Sequence, residues 1–538
     1  MLSPVQERSP DQPSLTKTIV SAIDIGTNSV HMVIVEVNPS IPSFRALASE
    51  KQMVRLGEYC KATGWLTPEA MQRTLDALKR FQQLSESFGS KTMLAVATSA
   101  VREAPNGIDF LHQIKRTLGI QVDLISGQEE ARRIYLGVLS AIPFEGEPHI
   151  VMDIGGGSTE FILGDGGEAK FLRSVKVGSV RLTDQFVHSD PLTNEDYEAL
   201  KKHVYSTLEP VMERLLAEGP FKRMVGTSGT VISLAQLDSR RRNGNVPDRM
   251  NGYELTQANV RQLLKELRSM NNQERRKLVP ERRADVLVSG AIIVQEAMSL
   301  LKADSLIICE RALREGLIVD WMIQNGYIED RLRYQQSVRE RSVYRLVNKF
   351  GVERDHTEHL AKLTLQLFDQ TKELGLHAWG NYERQLLWAA AILHNIGHSI
   401  AHSSHHKHSY YLIRYGEMLG YTEEEIEIMA NLARYHRRSS PKRSHPDFMK
   451  LSKQHRQVVR DLSPLLRLAS ALDRRRNIIV KEVKLERAEN SKALNLWIIP
   501  MLPDEDCLME LWSAEEKKTV LEERFDQVIQ VKLQGATN

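Results

Sequence analysis

The chain has 538 residues, 41% of them hydrophobic and 26% charged, with a net charge of only +3. These values describe a globular chain long enough for about three or four domains, and they exclude a collagen-like or disordered composition and a protein that coats nucleic acid through bulk positive charge. Three widely spaced cysteines, Cys60, Cys309 and Cys507, give neither a disulfide framework nor a metal-ligand spacing, which fits a reducing compartment.

Residues 1–17, MLSPVQERSPDQPSLTK, carry acids and three prolines but no apolar core, and read as a flexible tail with no secretory signal. No apolar run approaches the roughly 20 residues of a membrane span, so a cytoplasmic location is expected. Lobe-like regions are expected at 18–140 and 141–325, a helical domain at 336–476 and a small α+β domain at 477–538.

The stretch 18–37, TIVSAIDIGTNSVHMVIVEV, reads as strand, tight turn, strand, and it returns at 151–164 as VMDIGGGSTEFILG. Asp24 then falls on Asp153, Ile25 on Ile154, Gly26 on Gly155 and Ser29 on Ser158, an offset of 129 positions. Two copies of one hairpin predict two similar lobes that face each other across a cleft. Between the copies, helical spacing over 68–88, 108–118 and 128–139 alternates with strand-like runs at 92–97 and 121–125, the signature of an α/β fold. The second copy continues with a strand at 171–177, a helix at 194–217, a strand at 222–225 running into GTSGT, a helix at 282–301 and a strand at 305–308.

Glycine turns let several backbone N–H groups point at one spot, and such nests bind phosphate oxygens. Three turns have this character: Gly26-Thr27-Asn28-Ser29, Gly155-Gly156-Gly157-Ser158-Thr159, and Gly226-Thr227-Ser228-Gly229-Thr230. The third leads into a helix, whose N-terminus also favours an anion. One such turn alone is an ordinary tight turn; a duplicated pair with a third points to phosphate. Asp24 and Asp153, placed just ahead of two of them, would repel phosphate unless a cation intervened. Mg²⁺ commonly takes one or two carboxylates plus substrate phosphates, and Glu160 stands where it can join or orient that shell. A hydrolase also needs a base. Glu129 and Glu130, in ISGQEEARRIYLGV, open a helix, and spacing alone leaves the choice between them open. Arg102, in ATSAVREAPNG, follows a strand end and offers a planar fork for phosphate.

From about residue 336 glycines thin out, helical periodicity dominates and histidines gather, six of the chain's 17 lying between His394 and His408. After 477 the pattern becomes strand-rich, with a helix expected at 514–524 and a last strand in VIQVKL.

The motifs DIGTNSVHMVI, ATSAVREA, ISGQEEARRIYLGV, VMDIGGGSTEFILG, KVGSVRLTDQF, VGTSGT and LIICERALREGLI, in this order over about 18–320, resemble those of the exopolyphosphatase/guanosine pentaphosphate phosphohydrolase (Ppx/GppA) family. The resemblance implies two actin-like, ribonuclease H-like lobes, a helical HD-like domain and a small C-terminal domain. It implies Glu130 as the base that activates water, Asp24, Asp153 and Glu160 around a divalent ion, and Arg102 beside the phosphate turns. The expected reaction is cleavage of terminal phosphoanhydride bonds of inorganic polyphosphate, with the 5′ γ-phosphate of guanosine pentaphosphate (pppGpp) as the alternative, in a homodimer that binds no nucleic acid. Glu130 argues against an actin-like kinase or chaperone ATPase, and the intact acids argue against a non-catalytic sensor.

In the helical domain the HD-type resemblance places a metal signature at His356, His394-Asn395 and Asp473. The pair reads His-Asn where a carboxylate is needed, which marks the domain as degenerate and speaks against a phosphodiesterase centred there. His402, His405, His406, His408 and His436, with nearby arginines, are left as anion contacts on a basic path suited to a chain substrate.

Overall fold

The structure is a computed structural model, which describes residues 17–38, 42–58, 63–328, 338–488, 493–502 and 505–534. Residues 1–16 of the expected tail, Cys60 and the start of the expected helical domain at 336–337 lie outside the described residues. The chain divides into two compact units, Met1–Val338 and Arg339–Asn538. Among the described residues no helix is long and apolar enough to cross a membrane.

The first unit is built on two sheets. Strands β1 (Thr18–Ile25), β2 (Ser29–Asn38), β3 (Ser43–Met53), β4 (Thr92–Ala97) and β5 (Asp123–Leu124) form one in the order β3-β2-β1-β4-β5. Strands β6 (His149–Ile154), β7 (Thr159–Gly164), β8 (Ala169–Val175), β9 (Arg223–Thr227), β10 (Glu254–Thr256) and β11 (Ser305–Ile308) form the other, ordered β10-β11-β9-β6-β7-β8. In the first, β1, β2 and β3 run antiparallel while β4 and β5 pair in parallel. In the second, β6, β7 and β8 repeat the antiparallel set and β9 and β11 the parallel one, with β10 added antiparallel at the edge. The duplicated hairpin is therefore the visible part of a duplicated sheet, and the unit consists of two actin-like, ribonuclease H-like α/β lobes.

Register carries the duplication down to single residues. Asp24 pairs with His31 across β1/β2, and Asp153 with Glu160 across β6/β7. The turns close alike, Gly26 N–H donating to the Ser29 carbonyl at 3.2 Å and Gly155 N–H to the Ser158 carbonyl at 2.9 Å. Each lobe buries its own apolar core, with Ile23, Met32, Phe81 and Phe110 in one and Phe161, Leu208, Met224 and Ile292 in the other. Full burial of such a side chain contributes about 1.5–3 kcal/mol, enough in sum to hold the sheets as rigid walls.

Some expected boundaries shift. Strand β3 has no counterpart in the sequence reading, because its pattern alternates weakly and its pairing with β2 decides it. The helix expected at 282–301 is two, Glu281–Ala284 and Leu287–Leu300. The break sits at Asp285, whose carboxylate accepts a hydrogen bond from the Asn272 amide.

The second unit is helical over most of its length, with long helices Arg354–Glu373, Asn381–Leu393, Glu423–Tyr435 and Lys453–Leu472. Strands β12 (Val480–Arg487), β13 (Leu494–Pro500) and β14 (Ile529–Leu533) follow, β13 central, antiparallel to β12 and parallel to β14. Its last helical stretch is also split, into Leu508–Lys517 and Thr519–Phe525. Lys518 lies between them, its ammonium donating to the Ile529 carbonyl at 2.6 Å.

Candidate active site

A cleft of about 290 Å³ lies between the two lobes, and all three glycine turns reach it. Asp24 and Gly26–Ser29 come from the first lobe, Asp153 and Gly155–Ser158 from the second, and Thr227, Ser228 and Gly229 from the third turn. The helix Ser228–Asn243 starts there, so its unsatisfied N–H groups and positive dipole end face the cleft. Glycine is required at Gly157: an added Cβ would lie 2.6 Å from Ser99 Oγ and 2.9 Å from Thr27 Oγ1. The two duplicated turns thus touch because the second presents a glycine where the first presents the Thr27 side chain.

Not every residue of the three turns faces the cleft. Gly226 is a packing glycine, its Cβ position lying 2.7 Å from Val231 and 2.9 Å from Leu306. The Thr159 hydroxyl donates to the Val177 carbonyl, and Thr230 is buried behind the turn. Arg102 also stands back from the cleft lining. It donates to the Ile125 carbonyl at 2.9 Å and to Glu130 Oε2 at 3.1 Å, which makes it a holder of Glu130.

Tertiary structure separates the two adjacent glutamates. Ser126 caps their helix by accepting from Glu129 N–H at 3.2 Å, placing both acids in the first turn. Glu129 is taken up by Arg132 at 2.7 and 2.8 Å and by Arg133 at 2.6 Å, which hold its carboxyl below the usual range. Glu130 turns into the cleft and is 7% exposed. Burial first, then the charge of Glu160, raise its carboxyl well above the ordinary range, with Arg102 opposing them.

The other acids share that environment. Burial raises Asp24 to about 6, and burial with the charges of Glu130 and Asp24 raises Asp153 to about 7. Glu160 is raised to about 7 by burial and by Asp153, while its Oε1 accepts from the Ser158 and Ser174 hydroxyls at 2.7 Å each. Oδ1 of Asp24 and Oδ1 of Asp153 are both buried without a hydrogen-bond partner. Two orphaned carboxylate oxygens facing one cleft suit a hard cation. No three His, Cys, Asp or Glu side chains among the described residues converge as a ready-made metal cage. An ion held here would therefore complete its shell with water or ligand oxygens.

Several cleft residues escaped the sequence reading. Lys51, Arg283 and Arg314 bring positive charge, and Ser99 and Ser179 bring hydroxyls. The guanidinium of Arg283 packs over Gly229, where a Cβ would fall 1.6 Å from its Nη2. His31 is the pseudo-symmetric counterpart of Glu160, and its Nε2 lies 2.8 Å from Ser29 Oγ just as Ser158 donates to Glu160. The register of the duplicated hairpins was the available signal for His31; nothing local marks the three cations.

The second unit holds its own cavity, of about 900 Å³, lined by His356, His394, Asn395 and Asp473 among others. His356 Nδ1 and Asp473 Oδ2 are 2.6 Å apart, so the residues of the expected metal signature do meet. His402, His405 and His436 line the same cavity, whereas His406 and His408 do not.

Comparison with known proteins agrees with this architecture. Residues 33–325 match the model of the Ppx/GppA phosphatase family, and 338–517 match that of Ppx/GppA phosphatase, domain III. A guanosine-5'-triphosphate,3'-diphosphate pyrophosphatase of Photobacterium profundum is 31% identical over 501 residues, 92% of this chain and 94% of the relative. Among solved structures, the Aquifex aeolicus member of the Ppx/GppA family is 29% identical and covers 58% of this chain and 99% of its own, with a TM-score of 0.51. An exopolyphosphatase from Cytophaga hutchinsonii is also 29% identical, covering 57% and 98%, with a TM-score of 0.53. The duplicated lobes, the three glycine turns around a buried acid cluster and these matches lead to one conclusion: the chain belongs to the Ppx/GppA phosphatase family and is a phosphoanhydride hydrolase by descent.

Proposed function

We propose that the chain is an exopolyphosphatase, releasing orthophosphate from the ends of inorganic polyphosphate in the cleft between its lobes. The observation that carries this reading is the pairing of a buried glutamate, Glu130, with three phosphate-type turns around one cleft. Backbone N–H groups of Gly26–Ser29, Gly155–Ser158 and the Ser228 helix start hold the terminal phosphates. Asp24 and Asp153 would hold a divalent cation such as Mg²⁺, with Glu160 behind them keeping Ser158 in place. When bound, that ion supplies charge neutralisation at the phosphate oxygens. Glu130 accepts the proton of the attacking water, and its raised proton affinity, caused by burial and the charge of Glu160, favours that transfer. Arg102 keeps its carboxylate turned toward the cleft. Little covalent chemistry is asked of the protein; positioning and electrostatics do the rest.

Hydrolysis of guanosine pentaphosphate is the second reading, favoured by the full-length relative with that activity in its name. It uses the same residues. The test is orthophosphate release from long-chain polyphosphate and from guanosine pentaphosphate side by side, with Mg²⁺ and with chelator. Release from polyphosphate that stops with chelator and in Glu130→Gln supports the first reading, and faster turnover of the nucleotide moves the assignment to the second. Cleavage of ATP with neither substrate touched overturns both. The homodimer implied by the family is part of the same proposal, and light scattering on the full chain checks it.

A further inference from the structure

Of the motifs that mark the first unit, KVGSVRLTDQF (176–186) contributes only Ser179 to the lining of the cleft. Its helix, Ser179–Phe186, abuts the glycine turn of the second lobe from behind. Three consecutive carbonyls of that turn point at it. The Gly155 carbonyl accepts from Ser179 N–H at 3.0 Å and from the Ser179 hydroxyl at 3.3 Å. The Gly156 carbonyl accepts from Val180 and Arg181 N–H at 3.0 Å each, and the Gly157 carbonyl from Arg181 Nε at 2.8 Å. The free N–H groups of the helix start are thus satisfied by the turn. Gly178 permits the contact, since a Cβ there would fall 2.3 Å from the Gly156 carbonyl oxygen.

A trans peptide carries its C=O and the next residue's N–H on opposite sides. The peptides of this turn are trans. With the carbonyls of Gly155, Gly156 and Gly157 held by the helix, the N–H groups of Gly156, Gly157 and Ser158 are turned away from it, on the side of the cleft that these residues line.

Arg181 also reaches across to the first lobe. Its Nη2 donates to both oxygens of Glu103, at 3.0 and 2.9 Å, and Lys176 adds an ion pair at 3.2 Å. Glu103 Oε1 accepts in turn from the Ser99 hydroxyl at 2.8 Å, and Ser99 lines the cleft against Gly157. Burial works against the Glu103 carboxylate, but the Ser99 hydroxyl, Arg181 and Lys176 outweigh it and hold the group below its usual range. One path of hydrogen bonds, Ser99–Glu103–Arg181–Gly157, therefore joins the cleft wall of one lobe to the glycine turn of the other.

We propose that Arg181 and Glu103 are positioning residues for hydrolysis that act through the Gly155–Ser158 turn, Arg181 fixing the Gly157–Ser158 peptide so that Ser158 N–H faces a phosphate oxygen, and Glu103 setting the distance of that donor from the first lobe. The proposal rests on the reading of this turn as a phosphate site. Neither residue lines the cleft, so both act at one remove. A planar fork is needed at 181, because Nε serves the carbonyl while Nη2 serves the carboxylate, and a lysine ammonium is a point charge that cannot span both. A donor aimed where charge develops lowers the barrier more than it tightens ground-state binding, so its misplacement shows in kcat more than in KM.

The test measures orthophosphate release from long-chain polyphosphate by the full chain. Arg181→Gln is expected to lower kcat about 10–100-fold with KM within about threefold, and Arg181→Lys to stay within about threefold of Arg181→Gln despite its charge. Glu103→Gln should cost about fivefold in kcat, and less than about twofold when added to Arg181→Gln. An unaltered melting transition is the control on folding, and if Arg181→Gln melts early the milder Glu103→Gln decides. An unchanged kcat in Glu103→Gln, activity restored by Arg181→Lys, or costs that multiply in the double variant would each overturn the proposal. Hydrogen exchange over residues 154–160 in the Glu130→Gln chain needs no turnover. Tripolyphosphate should slow it at least about fivefold, and less than about twofold once Arg181→Gln is added. No slowing at millimolar tripolyphosphate overturns the proposal. A turn that is protected in a parent chain inert on polyphosphate defeats the exopolyphosphatase reading but supports the positioning role, and the kinetic comparison then moves to guanosine pentaphosphate.

Discussion

The inter-lobe cleft and the histidine-lined cavity of the second unit bury charge of opposite sign. Asp24, Asp153 and Glu130 in the cleft, with Glu160 behind them, gather out of water and all are driven toward their protonated forms. In the cavity, imidazoles are driven toward their neutral forms, and among the described residues the guanidinium groups that line it have no carboxylate within salt-bridge distance. Neither arrangement is what a packed core requires. A cluster of strained acids calls for a cation and a cluster of unpaired arginines for an anion. On the proposed function the difference also separates their chemistry: in the cleft Glu130 would act as a base among glycine turns suited to phosphate, and the cavity has no such turns among the described residues.

The largest effect that sharpens this contrast is loss of the base. Glu130→Gln should lower kcat about 10²–10⁴-fold with KM little changed, whereas Glu129→Gln, which removes only ion pairs with Arg132 and Arg133, should stay within about threefold; steady-state orthophosphate release compares the two. Next is Asp153→Asn. It should abolish the Mg²⁺ dependence of activity and yet raise the stability of the metal-free first unit by up to about 2 kcal/mol, since a buried carboxylate with an unpartnered oxygen is removed. Calorimetry with and without Mg²⁺ decides; a destabilised metal-free variant would break the reading of the cleft as a cation site.

Acid should move the two units in opposite directions. Carboxyls raised to about 6 and 7 contribute stability present below their ordinary range near 4 and lost as pH rises through 6 to 7, so the metal-free first unit firms up on acidification. Imidazoles lowered to about 3 and 4 contribute stability present above 6.5 and lost as pH falls through 4, so the second unit weakens over the same interval. Hydrogen exchange resolved by unit, taken at pH 7 and pH 5 and corrected for intrinsic rates, measures both slopes at once. Parallel slopes would contradict the contrast. The smallest effect is expected from Arg102→Ala: about a tenfold fall in kcat/KM, with the acid limb of the pH profile shifted upward because Glu130 loses the charge that opposes its protonation. An unchanged limb would mean Arg102 only braces the Ile125 carbonyl.

Much of the cleft was legible in the chain because its two acids and two turns belong to a tandem copy, and strands alternating with helices announced the lobes. Local chemistry carries such features: a glycine turn, a capped helix start and an apolar strand are written in neighbouring residues. Spacing left Glu129 and Glu130 open and the family resemblance pointed to Glu130; tertiary structure supplies the physical reason, because one position along a helix rotates a side chain by about 100°, from the cleft to a pair of arginines. It alone sent Gly226, Thr159 and Thr230 into the packing, made Arg102 a holder of the base, and brought Lys51, Arg283 and Arg314 to one cleft from positions more than 200 residues apart. Unpaired charge is likewise a property of what surrounds a residue in space. Sequence alone showed that histidines and arginines gather in the second half of the chain; only the folded cavity shows which of them share one wall.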